Sequence, residues 1–392
     1  MRQPIPLSVT LVCTAGGDVG VVATPAGGGV RPVPVVSYRC PSHPVGGVVV
    51  RSLDVGDGPP YRSSVPAQDV SLVDVVARDI AASVADLAAD GHAAAVVVAP
   101  PGYVPLDLIP GLAGCPALSV VSSVALVDAT TAFEDLDGCD SFADRGLAVP
   151  RLGRMVPAAL VDQVERADVV VLAATDEIDV CDMLQLDTLV RRLNPAARPV
   201  TVVGRATPAS DILASAGPDG GAGYDEIGSH RHAGWLRMLC ARTADDLPAS
   251  EVGITATVLA ARRPLHPQRL HDCLDGLVAG VVRSRGWLWL ASRPDQRMAW
   301  DHAGRGLTLA PDGYWPAVDA APADHSAACP GWDSYYGYRV QELALIGLHA
   351  DPAVLAGVFR SCLLTDVELA LGEDGWRELP DPFPAWLPDL NG

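Results

Sequence analysis

The amino-acid sequence predicts two domains: a doubly wound, mostly parallel α/β sheet, followed by a smaller α+β domain. Three observations support this prediction. The chain has 392 residues, which is long for one ordinary hydrophobic core. Hydrophobic residues make up 49% of it and charged residues only 19%, so it can bury sizeable cores. Strand and helix patterns alternate through the first half, whereas hairpin-like patterns dominate the second.

The first domain is predicted from short apolar runs that alternate with amphipathic segments. Residues 7–13 form an apolar run that indicates a buried strand. Residues 68–90 predict a helix, because apolar side chains recur at steps of three and four and Gly91 follows as a stop. Further strands are predicted at 93–99, 119–127, 168–174 and 200–203, and further helices at 156–167 and 180–193.

The pattern changes after a short acidic linker, so we place a domain boundary between residues 246 and 247. The first domain is then 1–246 and the second 247–392. In the second domain, strands are predicted at 253–260, 286–292, 306–310 and 340–347, and helices at 267–282 and 352–363. Trp287 and Trp289 alternate on one predicted strand, so we expect them to share a face and at least one to lie in the core.

Composition excludes several classes of function. The 28 basic and 47 acidic residues give a net charge of −19, which argues against a general nucleic-acid binder and against direct DNA binding. All the basic residues are arginine, and no lysine occurs anywhere in the chain. Mechanisms that need a lysine, such as Schiff-base formation or a lysine on the terminal phosphates of a nucleotide, are therefore excluded.

The cysteines indicate the compartment. There are nine, an odd number, and they are scattered without any C-x-x-C spacing. This pattern is typical of reduced thiols in the cytoplasm and not of a disulfide framework. The N-terminal segment is a poor secretory signal, and the longest uncharged run, residues 108–127, is interrupted by proline and glycine. We therefore expect a cytoplasmic protein that does not contact a membrane.

A basic segment lies inside the second domain of this acidic chain. Residues 262–305 contain eight arginines and four acidic residues, a net charge of +4. One interpretation is that the arginines pair with Asp272, Asp275 and Asp295 and hold the domain together. The other is that they bind an anionic partner. The candidate partner-binding residues are Arg262, Arg263, His266, Arg269, Arg283 and Arg285. The ring of His266, just before a predicted helix, could instead cap that helix.

Four ordered motifs in the second domain carry a family resemblance. They are ARRPLHPQRL at 261–270, RSRGWLWLASRPD at 283–295, GYRVQELALIG at 337–347 and DPFPAW at 381–386. The domain resembles the C-terminal domain of CobW-like proteins, a family that holds GTP-dependent metal chaperones. Within the family it is most similar to an actinobacterial branch described as ribosome hibernation factor-recruiting proteins, which act in the response to zinc shortage.

The first domain resembles the GTPase half of the same family in its scaffold. The matching segments are AAAVVVAPPGYVP at 93–105, SVALVDATT at 123–131, ERADVVVLAATDEID at 165–179 and LNPAARPV at 193–200. The resemblance implies a P-loop NTPase-like sheet for the first domain and a CobW C-terminal type of α+β fold for the second.

The GTPase motifs themselves are incomplete. A phosphate-binding loop needs glycines, a lysine and a following serine or threonine. This chain keeps three glycines there, but it lacks the lysine and the hydroxyl, and Asp18 lies among the glycines. Ala99 stands where the family has its catalytic-side glutamate, and only the aspartate of the guanine-binding motif remains. We expect a vestigial nucleotide site with no catalytic residue, formed by Gly16, Gly17, Gly20 and Asp176.

The cysteine motif that the family carries before the first long helix is also absent. Arg62, Ser63 and Ser64 occupy that stretch, and serine hydroxyls do not replace thiolates as zinc ligands. Cys40 and His43 have a C-x-x-H spacing that could supply two ligands, so we retain them as metal candidates. We expect no bound cofactor, with GTP and zinc as the alternatives.

The sequence therefore predicts a CobW-like pseudo-GTPase that recruits a protein partner, and it favours a non-enzyme over an enzyme. By the resemblance, the partner is a ribosome hibernation factor or the ribosome, under zinc limitation. The alternative is a GTP-dependent zinc metallochaperone of the same family, which would need the missing lysine and cysteines. A third hypothesis, a relative with an unrelated binding role, is not separated from the first by the sequence.

Overall fold

The structure, a computed structural model, describes residues 6–16, 32–41, 47–56, 58–67, 71–147, 154–203, 212, 234–241, 250–316 and 333–384. The chain divides into two compact units, Met1–Gly234 and Trp235–Gly392. The predicted boundary between residues 246 and 247 lies outside the described residues, so it stays a prediction. Each unit has its own sheet.

The first unit is built on an eight-stranded, mostly parallel sheet. Its strands are β1 (Leu7–Thr14), β2 (Val35–Arg39), β3 (Gly47–Asp54), β4 (Tyr61–Ala67), β5 (Ala94–Val98), β6 (Leu118–Asp128), β7 (Val169–Ala174) and β8 (Arg198–Val203). They lie in the order β4-β3-β2-β5-β1-β6-β7-β8. Neighbours pair in parallel except β2 with β3 and β3 with β4, which are antiparallel. The predicted α/β class is confirmed.

Helices connect the parallel strands of this unit. They are α1 (Leu72–Ala89), α2 (Pro105–Leu112), α3 (Ala132–Asp137), α4 (Val156–Arg166) and α5 (Val180–Leu193). The helix predicted at 68–90 is α1, which buries Ile80 and Val84 against the sheet. The sequence pattern did not predict α2 or α3, because two prolines lie in the short α2 and α3 has only six residues.

The strand β1 lies at the centre of the core because its side chains alternate between the two faces of the sheet. Val9 and Leu11 lie in one apolar cluster with residues of α1. Val12 lies in a second cluster with Val124 of β6. All four side chains are almost completely buried. A strand that is buried on both faces is mostly apolar, and β1 is apolar at five of its eight positions.

An antiparallel extension at one edge of the sheet was not predicted from the sequence. Strand β2 pairs with the parallel strand β5, and β3 and β4 follow as antiparallel neighbours. Edge strand β4 carries Arg62, Ser63 and Ser64, and most of its residues are exposed or half-buried. Such polar side chains hide the apolar alternation from which strands are predicted, and they also discourage edge-to-edge association.

The second unit holds a six-stranded antiparallel sheet. Its strands are β9 (Ser250–Glu251), β10 (Ile254–Ala261), β11 (Val281–Leu288), β12 (Gln296–Ala303), β13 (Gly306–Tyr314) and β14 (Gln341–Leu348), in the order β13-β12-β11-β14-β10-β9. The helices are α6 (Gly234–Ala241), α7 (Pro267–Asp272), α8 (Leu274–Val278), α9 (Pro352–Cys362), α10 (Asp366–Leu369) and α11 (Gly372–Arg377). Leu270 of α7 and Phe359 of α9 share a core with Leu343 of β14 and Trp300 of β12. A smaller α+β domain is confirmed.

The helix predicted at 267–282 is wrong in its second half. The structure has two short helices there, α7 and α8, and Val281 already belongs to β11. Gly280 turns the chain into that strand with a φ of 68°, a conformation that glycine adopts at little cost. The apolar residues near 281 therefore belong to a strand, although they continue the helical spacing.

The two tryptophans expected on one strand have different environments. Trp289 follows the end of β11 and is almost completely buried, with its ring edge-on to Tyr336 and Trp376. Trp287 is only half-buried and contacts Trp235. The expectation that at least one of the pair lies in the core is confirmed, but the two do not share neighbours.

Candidate functional site

The candidate nucleotide site lies where β1 ends at the centre of the first sheet. Ligands of doubly wound sheets bind beyond the carboxyl ends of the strands, near the point where the strand order reverses. Thr14, Ala15 and Gly16 occupy this place, and the first two are buried. The Gly16 N–H donates to the Thr14 hydroxyl oxygen at 3.2 Å. The other predicted glycines, Gly17 and Gly20, lie outside the described residues.

A buried turn after β5 lies directly against this end of β1. The Ala99 N–H donates to the Val12 carbonyl at 2.8 Å, and the Gly102 N–H donates to the Thr14 carbonyl at 2.9 Å. The turn contains two consecutive prolines, and all residues from 99 to 104 are buried. Ala99 offers no carboxylate at the position where the resemblance predicts a glutamate.

A buried ion pair holds this turn in place. Arg154 donates to the Asp107 carboxylate at 2.6 Å and to the Gly102 carbonyl at 2.7 Å. The side chains of Arg154 and Asp107 are only 8% and 7% exposed. The Gln163 side-chain amide donates to the Tyr103 carbonyl at 2.7 Å. The charge of Arg154 is thus matched by its own carboxylate partner instead of being directed at a phosphate.

The ends of β6 and β7 supply the remaining polar groups of this edge. The Asp128 carboxylate accepts hydrogen bonds from the backbone and the hydroxyl of Thr130, at 2.9 Å and 2.6 Å. The Ala129 N–H donates to the Ala173 carbonyl at 2.8 Å, which ties the two strand ends together. Asp176, which the sequence predicts as part of a vestigial nucleotide site, lies beyond β7 and is exposed. Its carboxylate is accessible to a ligand.

The described residues of this edge fit a nucleotide triphosphate poorly. Phosphates of a bound nucleotide need converging backbone N–H groups, a lysine and a metal-binding hydroxyl. Here the Gly16 N–H and the Gly102 N–H are already used within the protein. The chain has no lysine at all, so this component cannot come from the residues outside the described part either.

The metal candidates are only partly described. Cys40 is buried, with its sulfur 3.7 Å from the Tyr103 hydroxyl oxygen, and burial raises the pKa of its thiol to about 11. Zinc binds the thiolate, so binding at Cys40 would require this buried thiol to lose its proton. His43 lies outside the described residues. Within the parts of the chain that the structure describes, no group of three or more His, Cys, Asp or Glu residues is arranged to hold a metal ion.

Sequence reasoning missed a surface at the start of α5, which we name the α5 acidic surface (residues 176–184). Val180 and Leu184 lie one helical turn apart and are 81% and 52% exposed. Exposed acidic residues surround them: Asp176, Glu177, Asp179 and Asp182. The Asp179 carboxylate caps α5 by accepting from the Cys181 N–H at 2.6 Å. The signal in the sequence is that Val180 and Leu184 stand among these four acidic residues, and in the structure the buried positions of α5 start only at Leu186.

Two of the predicted partner-binding arginines lie on β11. Arg283 is almost completely buried, and it pairs with Asp301 and donates to the His302 carbonyl at 3.2 Å. Arg285 lies 3.5 Å from the same Asp301 carboxylate, and its guanidinium lies 4.9 Å from the centre of the Trp235 ring. Their charges are thus partly matched within the unit.

The other candidates surround the start of α7. The Arg269 guanidinium donates to both oxygens of Glu368, at 2.8 Å and 2.7 Å, and Arg263 donates to Asp366 at 2.7 Å. His266 caps α7, as one interpretation predicted, because its Nδ1 accepts from the Arg269 N–H at 3.4 Å. Burial and the nearby arginine lower the pKa of His266. Arg262 donates to the Gly337 carbonyl at 3.4 Å.

The acidic partners of these arginines differ from the expected ones. They include Asp301, Asp366 and Glu368, whereas Asp295 pairs with Arg339 and Arg377. The pairing joins residues far apart in the sequence, which the spacing of charges does not reveal. A partner-binding role for the six candidates stays a prediction.

Comparisons with known proteins agree with the motifs of the second unit. Residues 254–363 match the family described as Cobalamin synthesis protein cobW C-terminal domain. The chain is 30% identical over 271 residues to zinc-regulated GTPase metalloprotein activator 1 of Dictyostelium discoideum, covering 66% of this chain and 55% of that protein. It is 35% identical over 244 residues to zinc chaperone Rv0106 of Mycobacterium tuberculosis, covering 60% of this chain and 56% of that protein.

The similarity to solved structures is remote. The crystal structure of Zn(II)-bound YjiA GTPase from E. coli aligns over 92% of this chain and all of that chain, with 14% identity and a TM-score of 0.36. The chain spans about half the length of the curated relatives that it matches. The matches in sequence support the CobW-like family, and residues 254–363 match the model of its C-terminal domain. Among the helices in the described residues, none is both long and apolar enough to cross a membrane.

Proposed function

We propose that this chain is a CobW-like protein of zinc homeostasis that recruits a protein partner and does not hydrolyse GTP. The observation that carries this proposal is the complete absence of lysine from 392 residues. Phosphoryl transfer on a P-loop scaffold depends on a lysine that reaches the terminal phosphates, and arginine does not substitute for it as a compact point charge.

The described geometry supports the same proposal. The Ala-Pro-Pro turn after β5 brings no carboxylate to the end of β1, and its backbone donates to β1 itself. The nearby arginine, Arg154, is paired with Asp107 in a buried position. A scaffold that is kept while its phosphate-binding groups are lost is consistent with a binding protein.

The kind of partner follows from relatives and from charge. The curated relatives are named a metalloprotein activator and a zinc chaperone, names that imply client proteins. By the family resemblance, the partner here is a ribosome hibernation factor, met in the cytoplasm when zinc is scarce. Residues 1–246 contain 29 acidic residues and 17 arginines, so we expect a basic contact surface on the partner. Within the first unit, the α5 acidic surface offers both exposed apolar side chains and negative charge.

Phosphate release from GTP in the presence of Mg²⁺ tests the first part of the proposal. The Dictyostelium relative is a suitable positive control, because its name describes a GTPase. We expect this chain to release phosphate no faster than buffer does. Turnover near that of the control would overturn the non-hydrolysing assignment.

Affinity capture from zinc-starved cells tests the second part. We expect the chain to retain a ribosome hibernation factor, and we expect the double variant Val180→Asp/Leu184→Asp to lose it. Val354→Asp is a matched control, since Val354 is also a valine on a helix, 59% exposed, but in the second unit. Equal capture by all three proteins would exclude the α5 acidic surface, and capture of no hibernation factor would exclude the partner.

The second candidate function is a GTP-dependent zinc metallochaperone, and the names of the relatives favour it. It predicts that purified chain loaded with zinc releases the metal to a client or chelator faster when GTP is added. A non-hydrolysing recruiter predicts the same release with and without GTP. Zinc transfer to a colorimetric chelator, followed with and without GTP, separates the two functions.

A further inference from the structure

Two cysteines of the second unit, 89 positions apart in the chain, lie against the same turn. The Cys362 sulfur, at the end of α9, donates to the Arg269 carbonyl at 3.7 Å. The same carbonyl accepts the Cys273 N–H at 3.1 Å. On the other side, the Cys273 sulfur is 4.0 Å from the hydroxyl oxygen of Ser361, the residue that precedes Cys362. The two thiols are thus neighbours at the junction of α7, α8 and α9.

The two thiols differ in accessibility. Cys362 is completely buried, whereas Cys273 is partly exposed. Burial, with a smaller contribution from the neighbouring Cys273, raises the pKa of Cys362 to about 12. A small oxidant from solution therefore reaches Cys273 first, and Cys362 is protected until its neighbour has reacted.

We propose that Cys273 and Cys362 are a redox-active pair that closes to a disulfide when a hydroperoxide oxidises the protein. The Cys273 thiolate attacks one oxygen of hydrogen peroxide; its S–O bond forms, the O–O bond breaks, and hydroxide leaves and takes up a proton to become water. The Cys362 sulfur then attacks the resulting sulfenic acid, the S–S bond forms, and a second water leaves with the thiol proton. Two thiols are oxidised and one peroxide is reduced to two waters.

The disulfide would join the two ends of a long segment of the second unit. The segment between the two cysteines contains β11 to β14, which are four of the six strands of its sheet. Closing a loop of this length restricts the unfolded chain strongly, so oxidation raises the unfolding temperature of the unit. The pair also lies beside Arg269, whose guanidinium holds Glu368. Oxidation would thus act beside Arg269, one of the predicted partner-binding residues.

The lysine-free sequence makes a direct test possible. Trypsin cuts this chain only after arginine, so Cys273 is released on peptide 270–283 and Cys362 on peptide 361–377. The full native chain is treated with hydrogen peroxide, free thiols are alkylated, and the digest is analysed by mass spectrometry without reductant. We expect a cross-linked pair of these peptides, two hydrogens lighter than their sum, that separates on reduction.

Variants make the result decisive. Cys273→Ser removes a partly exposed sulfur and should abolish the cross-link without unfolding the core. Cys181→Ser is the matched control, because Cys181 is exposed in the first unit, and it should leave the cross-link unchanged. Peroxide-treated protein in which Cys273 becomes sulfinic acid while Cys362 remains alkylatable would overturn the proposal. So would a cross-link that forms only after denaturation.

Discussion

The buried pair of Arg154 and Asp107 shows how one residue can control the candidate site. Each side chain is less than a tenth exposed, and together they fix the turn that lies against the end of β1. Removing one charge of a buried pair leaves the other without compensation, which costs more than the pair itself contributes.

We therefore predict that Asp107→Asn lowers the free energy of unfolding of the first unit by about 3 kcal/mol or more. The control is Asp187→Asn, which breaks the pair of Asp187 with the mostly exposed Arg191. That change should cost less than about 1 kcal/mol, because exposed pairs are screened by water. Urea titrations of the two variants and of the unaltered chain measure both values; similar losses would contradict the role assigned to Asp107.

A second prediction concerns His302, which is almost completely buried on β12. Burial lowers the pKa of His302 from 6.5 to about 4; the charge of Arg283 assists this shift and the charge of Asp301 opposes it. Because the unfolded chain binds this proton more readily, folding stability falls as the pH drops from about 6.5 to about 4, by about 3 kcal/mol.

The measurement is the slope of unfolding free energy against pH in that window. His302→Gln should remove the part of the slope that belongs to this ring, whatever its effect on absolute stability. His271→Gln is the control for replacing a histidine at an exposed position. An unchanged slope in His302→Gln would exclude this residue as the source.

At the scale of elements, the close approach of β11 and β14 depends on one glycine. Gly286 has a φ of 155°, and a Cβ at this position would overlap the Glu342 carbonyl group of β14. Gly286→Ala should therefore push the two strands apart and lower the unfolding free energy of the second unit by about 3 kcal/mol or more.

Gly313→Ala separates the steric effect from the backbone effect. Gly313 also has a positive φ, 83°, but a Cβ there meets nothing within 4 Å. Gly313→Ala should lower the free energy of unfolding by about 1 kcal/mol, because only the backbone conformation becomes unfavourable. Thermal unfolding of both variants measures these losses of stability. Equal losses would show that β14 moves aside at little cost to accommodate the added Cβ.

The strands that the sequence predicts most directly are buried on both sides. Strands β5 and β7 are continuous apolar runs, so their type and position are predicted without any tertiary information. Strand β12 was missed, because Met298, Trp300 and His302 alternate with partly exposed residues and include a buried histidine. The burial of β12 depends on its neighbours in the sheet, β11 and β13, and the sequence does not reveal this strand order.

The candidate site was predictable to a smaller extent. The absence of lysine and the alanine at position 99, where the resemblance predicts a glutamate, are visible in the sequence itself. The pair of Arg154 with Asp107 and that of Arg269 with Glu368 join residues 47 and 99 positions apart. Pairs at such distances follow from the packing of whole elements, so the sequence could indicate charged residues but not their partners.

At the scale of the whole molecule, the net charge of −19 bears on association. If a basic partner binds the acidic first domain, attraction acts at a distance and is screened by salt. We predict that the association rate with the captured partner falls at least severalfold when salt is raised from about 0.05 M to about 0.3 M. Stopped-flow or surface-based kinetics measure this rate. A rate that does not respond to salt would exclude electrostatic steering.

The position of β1 has a consequence for synthesis on the ribosome. This first strand pairs with β5 and β6, whose residues begin at 94 and 118, while β2, β3 and β4 pair among themselves much earlier. As the nascent chain emerges, β1 must wait for partner segments that have not yet been translated. Translation to about residue 128 is therefore the earliest point at which the centre of the sheet can close, and until then β1 is a natural target for a chaperone.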